Sequence, residues 1–277
     1  MKKNILLPTD FSDNAWSAAV YALKLFANEE CTFYFLNSWS FSKSTTRTYI
    51  TSHLIDELKQ EARKELIDLK EQAEIVNTNS NHEFQVIFSS ESLLDTIETA
   101  VKEHKIDLII MGTKGATGAK EFLLGSNTIQ VVKKIKDCPV LVVPDEFDFI
   151  EPKQIAFPTD FSRFYSDKEL TPLKELTALY NSKIMPVCIL TKEKLTDIEE
   201  YNMATLKSQL ENYDTSFHFM PNYAKKTVEI TDFIEELGIN ILVMVNYKHS
   251  FIENLFKEPI IKNIGFNPLI PFLVIPA

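Results

Sequence analysis

The chain has 277 residues, 45% of them hydrophobic and 25% charged, with a formal net charge of −10 and a pI near 5.1. That acidity excludes a general nucleic-acid or anionic-membrane surface, because both are held mainly by Lys and Arg. It leaves room for a small anion, which needs only a few well-placed backbone N–H groups. Cys31, Cys138 and Cys188 lie far apart with no CxxC spacing, so each reads as a small core residue in a reducing compartment. The opening MKKNILLPTD has too short an apolar run for a signal peptide, and no run reaches the length of a membrane span. A cytoplasmic protein with no nucleic-acid and no membrane partner is expected.

Taken in order, apolar runs alternate with amphipathic ones. A first strand, Asn4 to Pro8, is followed by helical spacing over Asp13 to Phe26, with Ser12 or Asp13 as its N-cap. CTFYFLNSW is a second strand and Ser52 to Ala73 a long charged helix. HEFQVIFS is a third strand and Leu93 to His104 a helix. IDLIIMG is a fourth strand, Asn127 to Ile135 a helix, and CPVLVVP the fifth strand. Continuous apolar strands suit a parallel sheet covered on both faces. Strand–helix alternation predicts a doubly wound α/β domain.

The pattern is then written again. NILLPTDFS at Asn4 to Ser12 returns as QIAFPTDFS at Gln154 to Ser162, DLIIMG as NILVMV, and CPVLVVP as IPFLVIP, in the same order. Strands are expected at Gln154 to Pro158, Lys183 to Leu190, Ser216 to Met220, Asn240 to Asn246 and Leu269 to Pro276. A repeat of half the chain means two domains, 1–147 and 148–277, joined in the acidic stretch PDEFDFIEPKQ.

Of six glycines in the chain, four fall in MGTKGATGAKEFLLGSNT: Gly112, Gly115, Gly118 and Gly125. The stretch begins at the end of the fourth strand, where open parallel sheets bind ligands, and ends at a helix start. Glycines let a backbone approach a phosphate, and a helix N-terminus offers free donors and a positive dipole end. The spacing fits neither GxGxxG nor GxxxxGK[ST], so on the residues alone simple turns and a phosphate loop both remain open.

With ILLPTDFS before it and CPVLVVP after it, the G-x2-G-x9-G-S pattern resembles the universal stress protein family, and the doubled frame resembles its tandem two-domain members. The resemblance implies two Rossmann-like domains of the adenine nucleotide alpha hydrolase-like kind, each a five-stranded parallel sheet flanked by helices. It implies that they pack as an intrachain pseudo-dimer through their last strands, with a homodimer of chains left open. Members with an intact glycine motif bind ATP. Carried over by position, Pro8, Thr9 and Asp10 would lie near adenine or ribose, and Asn37 and Ser38 would offer backbone contacts to adenine. Met111 would pack near the base, Gly112 and Gly115 would approach ribose and phosphates, and Gly125, Ser126 and Asn127 would hold the phosphates. The implied ligand is ATP, or else ADP or AMP, with or without Mg²⁺, in a regulatory stress-response module that binds rather than turns over. The alternative is a protein-interaction scaffold that binds no nucleotide.

The second half departs from the pattern. Asn246 and Tyr247 stand about where the first two motif glycines would, and Lys257, Glu258 and Pro259 replace the last group, so no such site is expected there. Asp160 reads as a helix cap. The five histidines show no metal-ligand spacing and read as surface or cap residues. The long helix reads as a solvated face with i,i+4 pairs, SFSKSTTRTYI as a flexible cover, and Lys43, Arg47, Lys114 and Lys120 as the basic candidates for phosphate.

Overall fold

The computed structural model describes residues 2–39, 52–113, 124–145, 147–190, 194–223, 226–247 and 270–277. These form two compact units that divide at Val140–Leu141. Gly115, Gly118, Lys43, Arg47, Lys114, Lys120, Lys257, Glu258 and Pro259 lie outside the described residues.

The first unit runs β1 (Lys3–Pro8), α1 (Asp13–Leu25), β2 (Cys31–Ser38), α2 (Ser52–Val76), β3 (His82–Ser89), α3 (Leu93–Glu103), β4 (Leu108–Gly112) and α4 (Ser126–Lys134). Its strands lie in the order β3-β2-β1-β4, all parallel. Ile5, Leu6, Phe33, Leu36 and Ile109 are fully buried, as a sheet covered on both faces requires. Ile109 donates its N–H to Pro139 at 3.0 Å, which carries β4 on to β5 (Val140–Val143).

The second unit runs β6 (Gln154–Pro158), α5 (Asp167–Tyr180), β7 (Lys183–Leu190), α6 (Asp197–Gln209), β8 (His218–Pro221), α7 (Lys226–Leu237), β9 (Ile241–Asn246) and β10 (Phe272–Pro276). Its parallel order is β10-β9-β6-β7-β8. In both units the chain steps outward from its first strand, then returns to the other side of it. The order therefore reverses at β1/β4 and again at β6/β9.

Register aligns the two units. Ile5 pairs with Leu108 and Ile155 with Ile241, so Gly112 corresponds to Val245 and Thr113 to Asn246. Val245 thus stands where Gly112 does, as the pairing of DLIIMG with NILVMV implies, and Asn246 and Tyr247 come one and two places later. The turns after β1 and β6 also coincide. Thr9 and Thr159 donate their N–H groups to Leu36 and Val187 at 2.8 and 2.9 Å. Phe11 and Phe161 donate to the Thr9 and Thr159 hydroxyls at 3.0 and 3.1 Å. Both Phe residues hold positive φ, 65° and 55°.

Two expectations about caps change. Ser12, not Asp13, caps α1, accepting from the Ala15 N–H. Asp160 caps no helix: it accepts from the Ser162 N–H at 3.0 Å inside the turn, while α5 begins later and is capped by Ser166. Against the first half, the second inserts four residues, Ser162 to Tyr165, before the Ser-Asp that opens its helix.

The three cysteines are buried and unpaired to one another, and burial pushes the Cys31 thiol up to about 12. His82 is not at the surface as expected. It is buried, with Nε2 donating to the Phe26 carbonyl at 3.0 Å, which leaves Nδ1 to accept from the Asn77 amide at 2.6 Å. Helix α2 is mostly solvent-facing, with Ala62, Leu66 and Ala73 buried and a Lys70–Glu74 i,i+4 pair at 2.8 Å. Among the described residues no helix is long and apolar enough to cross a membrane.

Candidate functional site

At the carboxyl ends of β1, β2 and β4 the first unit holds a cavity of about 440 Å³. That is the size class of small-molecule sites. Pro8, Thr9 and Asp10 supply one wall, Asn37 and Ser38 the next. Met111 and Gly112 supply the floor at β4, and Gly125, Ser126 and Asn127 the mouth of α4. Every sequence-predicted site residue within the described chain is thus brought to one cavity; Gly115 is not among the described residues.

The walls are held by backbone chemistry. Asp10 Oδ1 accepts from the Ser12 N–H at 3.2 Å and the Ser12 hydroxyl at 2.6 Å. The Asn37 amide donates to the Thr9 carbonyl at 2.9 Å, and the Ser38 hydroxyl donates to the Glu91 carbonyl at 2.7 Å. The start of α4 is bolted to the end of β4. Thr128 donates its hydroxyl to the Gly112 carbonyl at 2.9 Å, and Gly125 donates its N–H to Thr113 at 2.6 Å.

Helix α4 differs from its neighbours at its start. In α1, α3, α5 and α6 a Ser or Thr side chain accepts a first-turn N–H: Ser12 from Ala15, Ser92 from Asp95, Ser166 from Glu169, Thr196 from Glu199. In α4 the N-cap is Gly125, no side chain caps it, and no acidic residue sits in its first turn. Ser126 is the first helical residue and makes no cap. Among the described residues nothing compensates the positive dipole end and first-turn donors of α4, which border the cavity.

Gly112 has a second reason to be glycine. A Cβ there would stand 2.2 Å from the Asn14 Oδ1 and 3.0 Å from the Asn14 carbonyl oxygen. Asn14 is 5% exposed, in the first turn of α1. Glycine at the end of β4 thus lets α1 start close against the sheet, apart from any ligand.

Asn14 was not singled out from sequence, and nothing local marks it, because its partner is about a hundred residues away. Ser92, Leu94 and Gln130 also line the cavity and were missed. The Ser92-x-x-Asp95 cap could have placed the start of α3, but not its position beside β2.

The counterpart region of the second unit is engaged by its own side chains. Tyr247 donates its hydroxyl to Asp160 at 3.3 Å, and Tyr165 to the Thr159 hydroxyl at 3.0 Å. The Arg163 guanidinium lies 5.2 Å from the Tyr165 ring centre and 4.7 Å from that of Tyr247, and pairs with Glu169. Burial, with the nearby Asp160 charge, raises the Tyr247 hydroxyl pKa. Burial opposes ionisation of Glu169, but Arg163 and Ser166 outweigh it and hold the carboxyl below its ordinary value. Among the described residues no group of three or more His, Cys, Asp or Glu could hold a metal ion.

The universal stress protein family pattern matches this chain over residues 1–144. The chain belongs to that family. It is similar to universal stress protein MJ0531 of Methanocaldococcus jannaschii, 34% identical over 143 residues that span 51% of this chain and 81% of that protein. It is also similar to MJ0577 of the same organism, 31% identical over 159 residues spanning 52% of this chain and 95% of that one. A solved universal stress protein from Archaeoglobus fulgidus superposes over 99% of this chain and 96% of its own at a TM-score of 0.68. At 15% identity that likeness speaks for the α/β fold alone. The family pattern of this universal stress protein covers the unit with the open cavity.

Proposed function

We propose that the first unit of this universal stress protein binds an adenine nucleotide, ATP or else ADP or AMP, as a regulatory stress-response module of the cytoplasm. The observation that carries the reading is the uncapped, acid-free start of α4 facing the cavity. The phosphates would lie on the backbone of Gly125, Ser126 and Asn127, with the ribose near Asp10 and Gly112 and the base between Met111 and the end of β2. A Mg²⁺ ion would enter bound to the phosphates. Asp10, the carboxylate on the wall, already accepts two hydrogen bonds within its own turn. Binding rather than turnover is the main event, and the site belongs to the first unit.

Calorimetry on the full chain tests this with Gly125→Asp. Aspartate is a favourable N-cap, so the variant should hold α4 at least as well. Its carboxylate would take the phosphate position and repel the ligand. The expected result is micromolar ATP binding that Gly125→Asp weakens about 100-fold or more. If ATP, ADP and AMP all fail to bind the unaltered chain, with and without Mg²⁺, the reading is lost and an interaction scaffold replaces it.

A further inference from the structure

We propose that the side-chain amide of Asn37 selects the base, favouring a purine with a 6-amino group over one with a 6-oxo group. This rests on the nucleotide reading of the cavity. Asn37 stands near the end of β2, is 7% exposed and lines the cavity. Its Nδ2 donates to the Thr9 carbonyl at 2.9 Å. A carbonyl only accepts, so this bond fixes which end of the amide is which. The other end, Oδ1, is buried with no hydrogen-bond partner among the described residues. An acceptor left so is costly unless a donor reaches it.

Strand order says which part of a nucleotide comes near. Helix α4 follows β4, while β2 lies beyond β1 on the other side. Two strand spacings separate β4 from β2, about 10 Å. With the phosphates on α4, the far end of a nucleoside reaches β2. A 6-amino group there donates to Asn37 Oδ1. A 6-oxo group sets two acceptors against each other.

The second unit supplies a control. Thr159 bonds Val187 as Thr9 bonds Leu36, which places Cys188 at the position of Asn37. The turn there keeps its N–H bonds with no amide on β7, and the Asn202 amide of α6 donates instead to the Phe161 carbonyl at 2.9 Å. Such a turn therefore does not need an amide at this strand position, and the Asn37 Oδ1 takes no part in holding it.

The experiment compares ATP with ITP, its 6-oxo counterpart, by calorimetry on the full chain. Asn37→Leu and Asn37→Cys follow, the latter borrowing the second unit's residue, each first checked for cooperative thermal unfolding. The unaltered chain should prefer ATP by about tenfold or more. Both variants should lose about tenfold in ATP affinity, keep that for ITP, and bring the ratio near one. Equal affinities in the unaltered chain overturn the proposal, as does an unchanged ratio in a folded variant, while ATP binding itself stands. Failure to bind either nucleotide overturns this proposal together with the site it rests on.

Discussion

The turns Pro8–Ser12 and Pro158–Ser162 share one sequence, Pro-Thr-Asp-Phe-Ser, and one set of hydrogen bonds, down to a phenylalanine at positive φ. They part at the next residue. In the first unit the helix starts at once, and Asn14 presses on Gly112. In the second, four more residues intervene, Val245 replaces the glycine, and Arg163, Tyr165 and Tyr247 gather at the turn. A retained Asp in such a turn is therefore evidence for the turn. Whether it borders a cavity depends on where the helix begins and what β4 or β9 carries.

The comparison can be broken most forcefully at Gly112. Gly112→Val should destabilise the first unit by about 3 kcal/mol through overpacking against Asn14. Adding Asn14→Ala should recover a large part of the loss in chemical unfolding, as expected for residues in direct contact. Additive losses would mean the glycine serves something other than that contact.

Tyr247→Ala attacks the other side. It removes a hydrogen bond to Asp160 and an aromatic face from Arg163, and should cost the second unit about 2 kcal/mol. Nucleotide affinity of the first unit should stay unchanged; a fall in ATP binding would contradict the assignment of the site to the first unit.

The helix caps offer a finer test. Ser12→Ala and Ser166→Ala should each cost about 1 kcal/mol, with the second larger because Ser166 and Glu169 form a reciprocal capping box.

The smallest effect concerns acid. Glu169 titrates below its ordinary carboxylate value, so its contribution is present above that value and fades as pH falls through the lowered one. Glu169→Gln should flatten that part of the acid limb of the second unit's unfolding and leave neutral pH binding intact.

Much was legible because it was local or periodic. The repeat, the strand–helix alternation and the paired turns stood in the sequence, as did Asp10, Gly125 and the start of α4. Boundaries slipped where a strand's pairing rather than its composition ends it, as at β8, which begins at His218 rather than Ser216. Gly112 was legible as a loop glycine but not as a packing partner of Asn14. His82 was misread because only the tertiary fold brings the Phe26 carbonyl to its ring.

By itself the sequence determined the doubled α/β frame, because periodicity and turn chemistry act over a few residues, while the ten described positions that meet in one cavity were carried over from the family resemblance. The tertiary structure decided the rest. Strand pairing set Cys188 against Asn37, brought Asn14 onto Gly112, and left the Asn37 Oδ1 without a donor among the described residues. Those facts depend on which distant segments lie side by side, and no local pattern encodes that.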